Sequence, residues 1–151
     1  MVGLQKEGLG EVEIHLHHGI SSPDTTDSLR KQLLNFRDIL ANEHGCLSRF
    51  DGKGEPKYAF VHGNWTLGNS ANGKYCGVDD EFAVLNETGC YLDMTLPSAP
   101  HESQVPMLNS IYECALPFDQ RSPHRKGRRL SVGDKDPKLP VMLTGPLMFN
   151  W

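Results

Sequence analysis

Residues 11–18 read Glu11-Val12-Glu13-Ile14-His15-Leu16-His17-His18, an alternation of apolar and polar residues typical of a β-strand with one buried face. The apolar residues of this stretch share one face, and the polar residues share the other. His15 and His17 therefore lie on the same face, about 7 Å apart, which is one pleat repeat. Two imidazoles at that spacing are close enough to bind one metal ion. The stretch predicts both a strand and a metal site at its end.

Length and composition indicate a single domain over residues 1–151. The chain is 38% hydrophobic and long enough to bury a core. Its formal charge is −4, so it has no net attraction for nucleic acid or for an anionic membrane, and neither is expected as a partner. No apolar stretch approaches the ~20 residues of a membrane span, and the N-terminal residues lack the pattern of a signal peptide. We expect a cytoplasmic location.

A helix is predicted near residues 26–44. Apolar residues recur there at helical spacing, at Leu29, Leu33, Phe36 and Leu40. Asp24, Thr25 or Thr26 would cap its start, and Gly45 would end it.

Two further strands are predicted at 58–62 and 90–96, with a short helix between them that ends at Gly89. Another strand is predicted at 140–144. The order of strand, helix, strand, loop, helix and strand is typical of a parallel α/β sheet with flanking helices.

The segment 97–140 reads as an irregular, proline-rich and basic loop region, in which only 107–116 has the pattern of a short helix. Its basic run, 121–129, is expected to be exposed and mobile. The apolar ending at 147–151 is of a kind normally followed by more protein, so we expect an incomplete barrel.

The four cysteines have no C-x-x-C spacing, and without a signal peptide we expect free thiols. They are Cys46, Cys76, Cys90 and Cys114.

Candidate functional residues gather at the predicted strand ends. In parallel α/β barrels the functional groups lie at the C-terminal ends of the strands. His62 closes the second strand, and Asp93 lies on the polar face of the third. Imidazole and carboxylate ligands suit a hydrolytic zinc, manganese or iron site, in which the metal activates water and polarises a carbonyl.

The candidate residues fall into three groups. The metal ligands are His15, His17 and His18, and the catalytic residues are His62 and Asp93. The substrate-binding residues are Asn64, Trp65 and Tyr75, and the aromatic rings of Trp65 and Tyr75 could stack on a sugar.

The sequence also resembles the polysaccharide deacetylase family, over about residues 8–96. That family has a strand reading roughly E-I-x-x-H-T-x-x-H, then a capped helix, a strand ending in a loop, and a helix, glycine and strand. The matching segments are Glu11-Val12-Glu13-Ile14-His15-Leu16-His17-His18, Phe60-Val61-His62-Gly63-Asn64-Trp65 and Glu81-Phe82-Ala83-Val84-Leu85-Asn86-Glu87-Thr88-Gly89-Cys90-Tyr91. The resemblance implies a partial or distorted (β/α) barrel, with His15 as a metal ligand. It also implies a metal-dependent hydrolase that removes N- or O-acetyl groups from carbohydrate.

Two alternatives stay open from the sequence. The alternation favours His17 as the second ligand, as in the H-x-H motif of metal-dependent amidohydrolase barrels, which this stretch also resembles. The deacetylase pattern favours a residue near His18. A different class of function also fits: a non-catalytic barrel remnant or carbohydrate-binding module that holds no metal. Metal content distinguishes the two classes.

Overall fold

A five-stranded sheet, in the order β1-β2-β3-β5-β4, forms the centre of the protein. The structure, a computed structural model, describes residues 2–49 and 54–148. The strands are β1 (Ile14–Leu16), β2 (Tyr58–His62), β3 (Cys90–Asp93), β4 (Ser110–Glu113) and β5 (Val141–Thr144). All neighbouring pairs are parallel except β4 and β5, which are antiparallel. The C-terminal ends of β1, β2 and β3 therefore lie at one edge of the sheet.

Helices flank this sheet. They are α1 (Val2–Lys6), α2 (Thr26–Asp38) and α3 (Glu81–Thr88), with a π-helical turn at Ile39–Glu43 and 3₁₀ turns at Leu67–Asn69 and Pro123–Arg125. In the part of the chain that the structure describes, every helix is too short or too polar to cross a lipid bilayer.

The predicted α/β class is confirmed, with a mostly parallel sheet, although β1 and β3 are shorter than the sequence predicts. Just before β1 and at the end of β3, side-chain carboxylates accept backbone N–H groups in place of strand pairing. Before β1, the Glu13 carboxylate accepts the Ala59 N–H at 2.5 Å. After β3, the Asp93 carboxylate accepts the Thr95 N–H at 3.0 Å. The described residues form a sheet with β1 and β4 at its edges.

Helix α2 forms where the apolar spacing predicted it. Thr25 is the N-cap, and its hydroxyl accepts the Ser28 N–H at 3.3 Å. Leu29 and Leu33 are fully buried in the core. The predicted end near residue 44 is also correct, but the last turn widens into the π-helical segment, and Gly45 follows with a φ of +65°.

Helix α3 and β3 are joined by a glycine turn, as predicted. Gly89 has a φ of +100°, a left-handed conformation in which its N–H reaches the carbonyls at the end of the helix. Thr88, just before it, is buried, and its hydroxyl lies 2.6 Å from the Tyr58 hydroxyl. This contact fixes α3 against β2.

The four cysteines are free, as expected, and all four are buried. The predicted helix at 107–116 is wrong, because Ser110–Glu113 forms strand β4. Ser110 and Tyr112 are buried and Ile111 between them is exposed, although Glu113 is buried as well through its pairing with Arg128. Of the apolar chain ending, residues 149–151 lie outside the described residues.

The basic run 121–129 is not simply exposed, which corrects the expectation from its charge. Pro123 and His124 are buried in its middle. The Arg128 guanidinium lies 2.6 Å from the Glu113 carboxylate on β4, which fixes the run against the sheet.

We expect Leu33→Ala to lower the free energy of unfolding by about 2–5 kcal/mol, because it leaves a cavity under α2. Leu9, which is 70% exposed, provides the matched control. Leu9→Ala should change stability by less than about 0.5 kcal/mol. Urea unfolding of both variants measures the difference, and equal effects would mean that α2 is not docked on the core.

We expect His124→Phe to stabilise the protein by about 1–3 kcal/mol, because both ring nitrogens of the buried His124 lack a hydrogen-bond partner among the described residues. Its ring already stacks on Phe82, with centroids 5.4 Å apart, so an aromatic ring fits there.

The gain should grow in acid. Burial lowers the pKa of His124 to about 3, whereas an unfolded histidine titrates near ~6.5. Because His124 stays neutral in the folded protein, the native protein has its full stability above a pH of ~6.5. It loses stability as the pH falls from there toward 3, whereas the His124→Phe protein does not lose this contribution. Thermal unfolding between pH 4 and 8 checks this, and a difference that does not vary with pH would contradict it.

Candidate functional site

The histidines at positions 15, 17 and 18, in and just after β1, lie in two different environments. Side chains alternate along extended backbone, so His15 and His17 lie on one side and His18 on the other. His15 and His17 are exposed, whereas His18 is only 3% exposed. Of the open alternatives, the structure brings His17, and not His18, next to His15.

The exposed rings, called the outer pair from here on, are His15 and His17. Their Nε2 atoms are 3.1 Å apart and the ring centroids 4.9 Å apart. Gly63, which follows β2, passes directly beside the His17 ring. A Cβ atom at this position would lie 2.5 Å from three ring atoms, so the close approach requires glycine.

Asn64 determines which nitrogen of His17 carries the proton. Its Nδ2 donates to two backbone carbonyls, those of His18 at 3.0 Å and Tyr75 at 3.2 Å. The amide is thereby oriented with Oδ1 toward His17, where it accepts the Nδ1–H at 2.8 Å. A neutral His17 then has its lone pair on Nε2, facing His15.

The second group, called the inner cluster, consists of four buried side chains: His18, His62, Cys76 and Glu81. One ligand-type atom from each lies within 4.8 Å of the others. His18 follows β1, His62 ends β2, Cys76 lies in the loop 63–77, and Glu81 is the first residue of α3.

Glu81 is at the centre of the inner cluster. Its Oε1 lies 3.1 Å from His18 Nε2 and 3.8 Å from His62 Nε2. Its Oε2 lies 3.5 Å from Cys76 Sγ and accepts the Gly68 N–H at 2.6 Å. Neighbouring donors thus compensate for the burial of this carboxylate.

The charges in the inner cluster depend on one another. Burial by itself would raise the pKa of Glu81, but the imidazoles of His62 and His18 and the Gly68 N–H hold it below its ordinary value. Burial would lower the pKa of His18, but the carboxylates of Glu81 and Asp24 raise it. His18 Nδ1 is 3.3 Å from Asp24 Oδ2, so this ring lies between two carboxylates.

His62 differs from His18. Burial lowers its pKa to about 4, so the ring is neutral at physiological pH. Its Nδ1 accepts the Asn64 N–H at 3.2 Å. Its Nε2 faces Glu81 without a hydrogen-bond partner in the described part of the chain.

Asp93, the other predicted catalytic residue, is also fully buried. Its carboxylate accepts hydrogen bonds from the N–H and the hydroxyl of Thr95, and the same hydroxyl accepts the His62 N–H at 2.8 Å. Burial raises the pKa of Asp93 to about 7. Thr95 therefore links the Asp93 carboxylate to the backbone of His62, and not to its ring.

Two of the predicted substrate-binding residues are exposed, Trp65 by 51% and Tyr75 by 49%. The third, Asn64, precedes Trp65 in the chain, and its side chain donates a hydrogen bond to the Tyr75 carbonyl. Trp65 also forms one wall of a shallow groove of about 360 Å³ with residues 97–101, where His101 meets its ring edge-on.

Sequence reasoning missed Cys76 and Glu81 as members of a site. One signal was present for Glu81: it lies four residues before Leu85, so it shares the buried face of an apolar helix. Nothing in the spacing of Cys76 distinguishes it from the other three cysteines.

Comparison with known proteins gives no match: no family model fits the sequence, and no curated protein and no solved structure is significantly similar. The functional argument therefore rests on the residues themselves.

We expect Asp93→Asn to become more stable relative to the native protein as the pH rises from ~4 to 7. An unfolded aspartate titrates near ~3.9, so the raised pKa of Asp93 favours folding below ~4 and opposes it increasingly up to about 7. The difference in unfolding free energy should change by at most about 1.4 kcal/mol per pH unit in this window. Urea unfolding across pH 4–8 measures it, with the exposed Asp119→Asn as control. Parallel curves for Asp93→Asn and the native protein would contradict the assignment.

Proposed function

We propose that this protein is a metal-dependent hydrolase that cleaves an amide or ester, with N- or O-acetylated carbohydrate as the substrate class. The observation that carries the proposal is the outer pair, whose Nε2 atoms are 3.1 Å apart. Two imidazoles on one zinc ion, each at about 2.0–2.1 Å, have nitrogens about 3.0–3.4 Å apart. The outer pair has the spacing of two ligands on one divalent ion, for which zinc, manganese and iron are the candidates.

The hydrogen bond between His17 and Asn64 supports the same proposal. Metal-binding histidines almost always donate the N–H of their other ring nitrogen to an oxygen acceptor, which fixes the ring and its tautomer. Asn64 Oδ1 is that acceptor for His17, and two backbone carbonyls hold it in place. The lone pair of His17 Nε2 faces His15 Nε2 and accepts a hydrogen bond from it, which an ion between the two rings would replace.

The exposure of the outer pair favours a catalytic ion over a structural one. Structural zinc sites are closed by four protein ligands, whereas catalytic sites keep a position open for water or substrate. Both rings of the outer pair face solvent. An ion held there would activate a water molecule and polarise the acetyl carbonyl.

Two exposed aromatic side chains near the outer pair support a sugar as the substrate. Trp65 and Tyr75 flank Asn64, which contacts His17. The apolar face of a sugar ring stacks readily on aromatic rings. The resemblance to polysaccharide deacetylases agrees with this, and we propose a barrel of that type as the finer architecture of the sheet.

His62 and Asp93 have indirect roles in this proposal. Both are fully buried, and they are connected to each other through Thr95. Because the His62 ring accepts the Asn64 N–H, this connection positions the residue that orients His17. Their direct participation as acid and base stays a prediction from the sequence.

We expect His17→Ala to lose the hydrolase activity and one equivalent of bound metal. Asn64→Ala should weaken that metal by about 10–100-fold, because it removes the acceptor that fixes the His17 ring. The measurements are zinc, manganese and iron binding by calorimetry, and acetate release from 4-nitrophenyl acetate and acetylated chitooligosaccharides.

The exposed His44 lies at the end of the π-helical turn and provides the control. His44→Ala should retain both activity and metal. Equal metal stoichiometry in the native protein and His17→Ala would overturn the proposal. Binding of the oligosaccharide without metal or acetate release would favour a carbohydrate-binding module instead.

A further inference from the structure

We propose that the inner cluster is a second, structural metal site, in which His18, His62, Cys76 and Glu81 bind one zinc ion. It is separate from the outer pair, which is exposed on the opposite side of the strand end. This inference does not depend on the proposed hydrolase activity.

The contacts of Glu81 within the inner cluster are close to the separations of ligands on a tetrahedral ion. Glu81 Oε1 is 3.1 Å from His18 Nε2 and 3.8 Å from His62 Nε2, and Cys76 Sγ is 3.5 Å from the second Glu81 oxygen. Ligands on one zinc ion, at about 2.0–2.3 Å from it, lie about 3.3–3.6 Å from one another. The four ligand atoms lie within 4.8 Å of one another, so the most distant of them must move closer for all four to bind one ion.

The donor set selects zinc and makes the site electrically neutral. A thiolate with two imidazoles and a carboxylate favours zinc over harder ions such as magnesium or calcium. The thiolate of Cys76 and the carboxylate of Glu81 balance the two charges of the ion, while His18 and His62 bind as neutral ligands. Neutrality matters here because unpaired charge is expensive in the interior.

Hydrogen bonding alone leaves part of the inner cluster unexplained. Glu81 accepts from the Gly68 N–H and lies within reach of His18 and Cys76, which is a reasonable network without an ion. His62 Nε2, however, is 3.8 Å from the nearest carboxylate oxygen and has no hydrogen-bond partner among the described residues. A fully buried ring nitrogen aimed at three other ligand atoms is what a metal site requires.

Binding would replace three hydrogen bonds with four coordinate bonds. With the ion on Nε2, a neutral His62 carries its proton on Nδ1, which at present accepts the backbone N–H of Asn64. The contacts of His18 Nε2 and Cys76 Sγ with Glu81 are also replaced, because both atoms bind the ion without a proton. On the other ring, His18 Nδ1 lies 3.3 Å from Asp24 Oδ2 but makes no hydrogen bond among the described residues, so a small rotation would complete a carboxylate–histidine–zinc contact.

Burial makes this ion structural. All four side chains are at most 3% exposed, so no position is open to substrate. They come from four separate segments: the ends of β1 and β2, the loop 63–77, and the first turn of α3. An ion here would join the loops at the C-terminal edge of the sheet to the helix that follows them.

The experiment uses the whole chain with the outer pair removed, as His15→Ala/His17→Ala. The protein is produced in minimal medium with cobalt, so that the buried site fills as the chain folds. We expect one equivalent of cobalt and a near-ultraviolet thiolate-to-cobalt charge-transfer band, because Cys76 supplies sulfur and the outer pair does not. With zinc, X-ray absorption should show one sulfur at about 2.3 Å and three nitrogen or oxygen ligands at about 2.0 Å.

Two cysteine variants identify the ligand. In the same background, Cys76→Ser should lose the charge-transfer band, whereas Cys114→Ser, which alters another buried thiol outside the cluster, should retain it. The spectrum before any change to the cluster decides the matter even if Cys76→Ser does not fold. No thiolate band in the His15→Ala/His17→Ala protein, or an equal band in the Cys76→Ser protein, would overturn the inference. Loss of acetate release in the same protein would report on the outer pair alone.

Discussion

Glu81 must bury a carboxylate completely, and the arrangement of the loops at the C-terminal edge of the sheet follows from how it does so. A buried carboxylate needs hydrogen-bond donors or a cation on every side. The Gly68 N–H supplies one donor from the loop 63–77, and Cys76 supplies a second group from the same loop. His18 and His62 approach from the ends of β1 and β2. The requirement of one side chain therefore ties two strand ends, a long loop and α3 into one unit.

The outer pair depends on this interior arrangement. With His18 turned inward toward Glu81, the alternation of the chain directs His17 outward beside His15. The His18 carbonyl then accepts from Asn64, which orients His17 through its other amide atom. One residue thus connects the two environments, because Asn64 contacts both a ring of the outer pair and, through its N–H, a ring of the inner cluster. The exposed His15 and His17 and the buried His18, one or three positions away, therefore depend on the same set of contacts.

Much of the fold could be predicted from the spacing of apolar residues and from capping residues. Helix α2 has a cap and apolar residues at helical spacing, so Leu29 and Leu33 could be assigned to the core. Strand β4 is not evident from the sequence, because its polar residues Ser110 and Glu113 are buried while the apolar Ile111 is exposed. The charge of the basic run predicts exposure, yet Arg128 pairs with Glu113 on β4, which fixes the run against the sheet. In both cases a partner distant in sequence decided the outcome.

The sequence by itself determined that His15 and His17 share a face and that strand ends carrying histidines meet at one edge, because both follow from the period of extended chain and from parallel pairing. Only the tertiary structure decided that His18 and His62 belong with Cys76 and Glu81. These residues are as many as 63 positions apart, and no spacing rule relates a loop thiol to the first turn of a later helix. The physical reason is that a buried charge must be stabilised by nearby donors, and the fold determines which donors are near. The spacing of residues along the chain does not show which distant residues become neighbours in space.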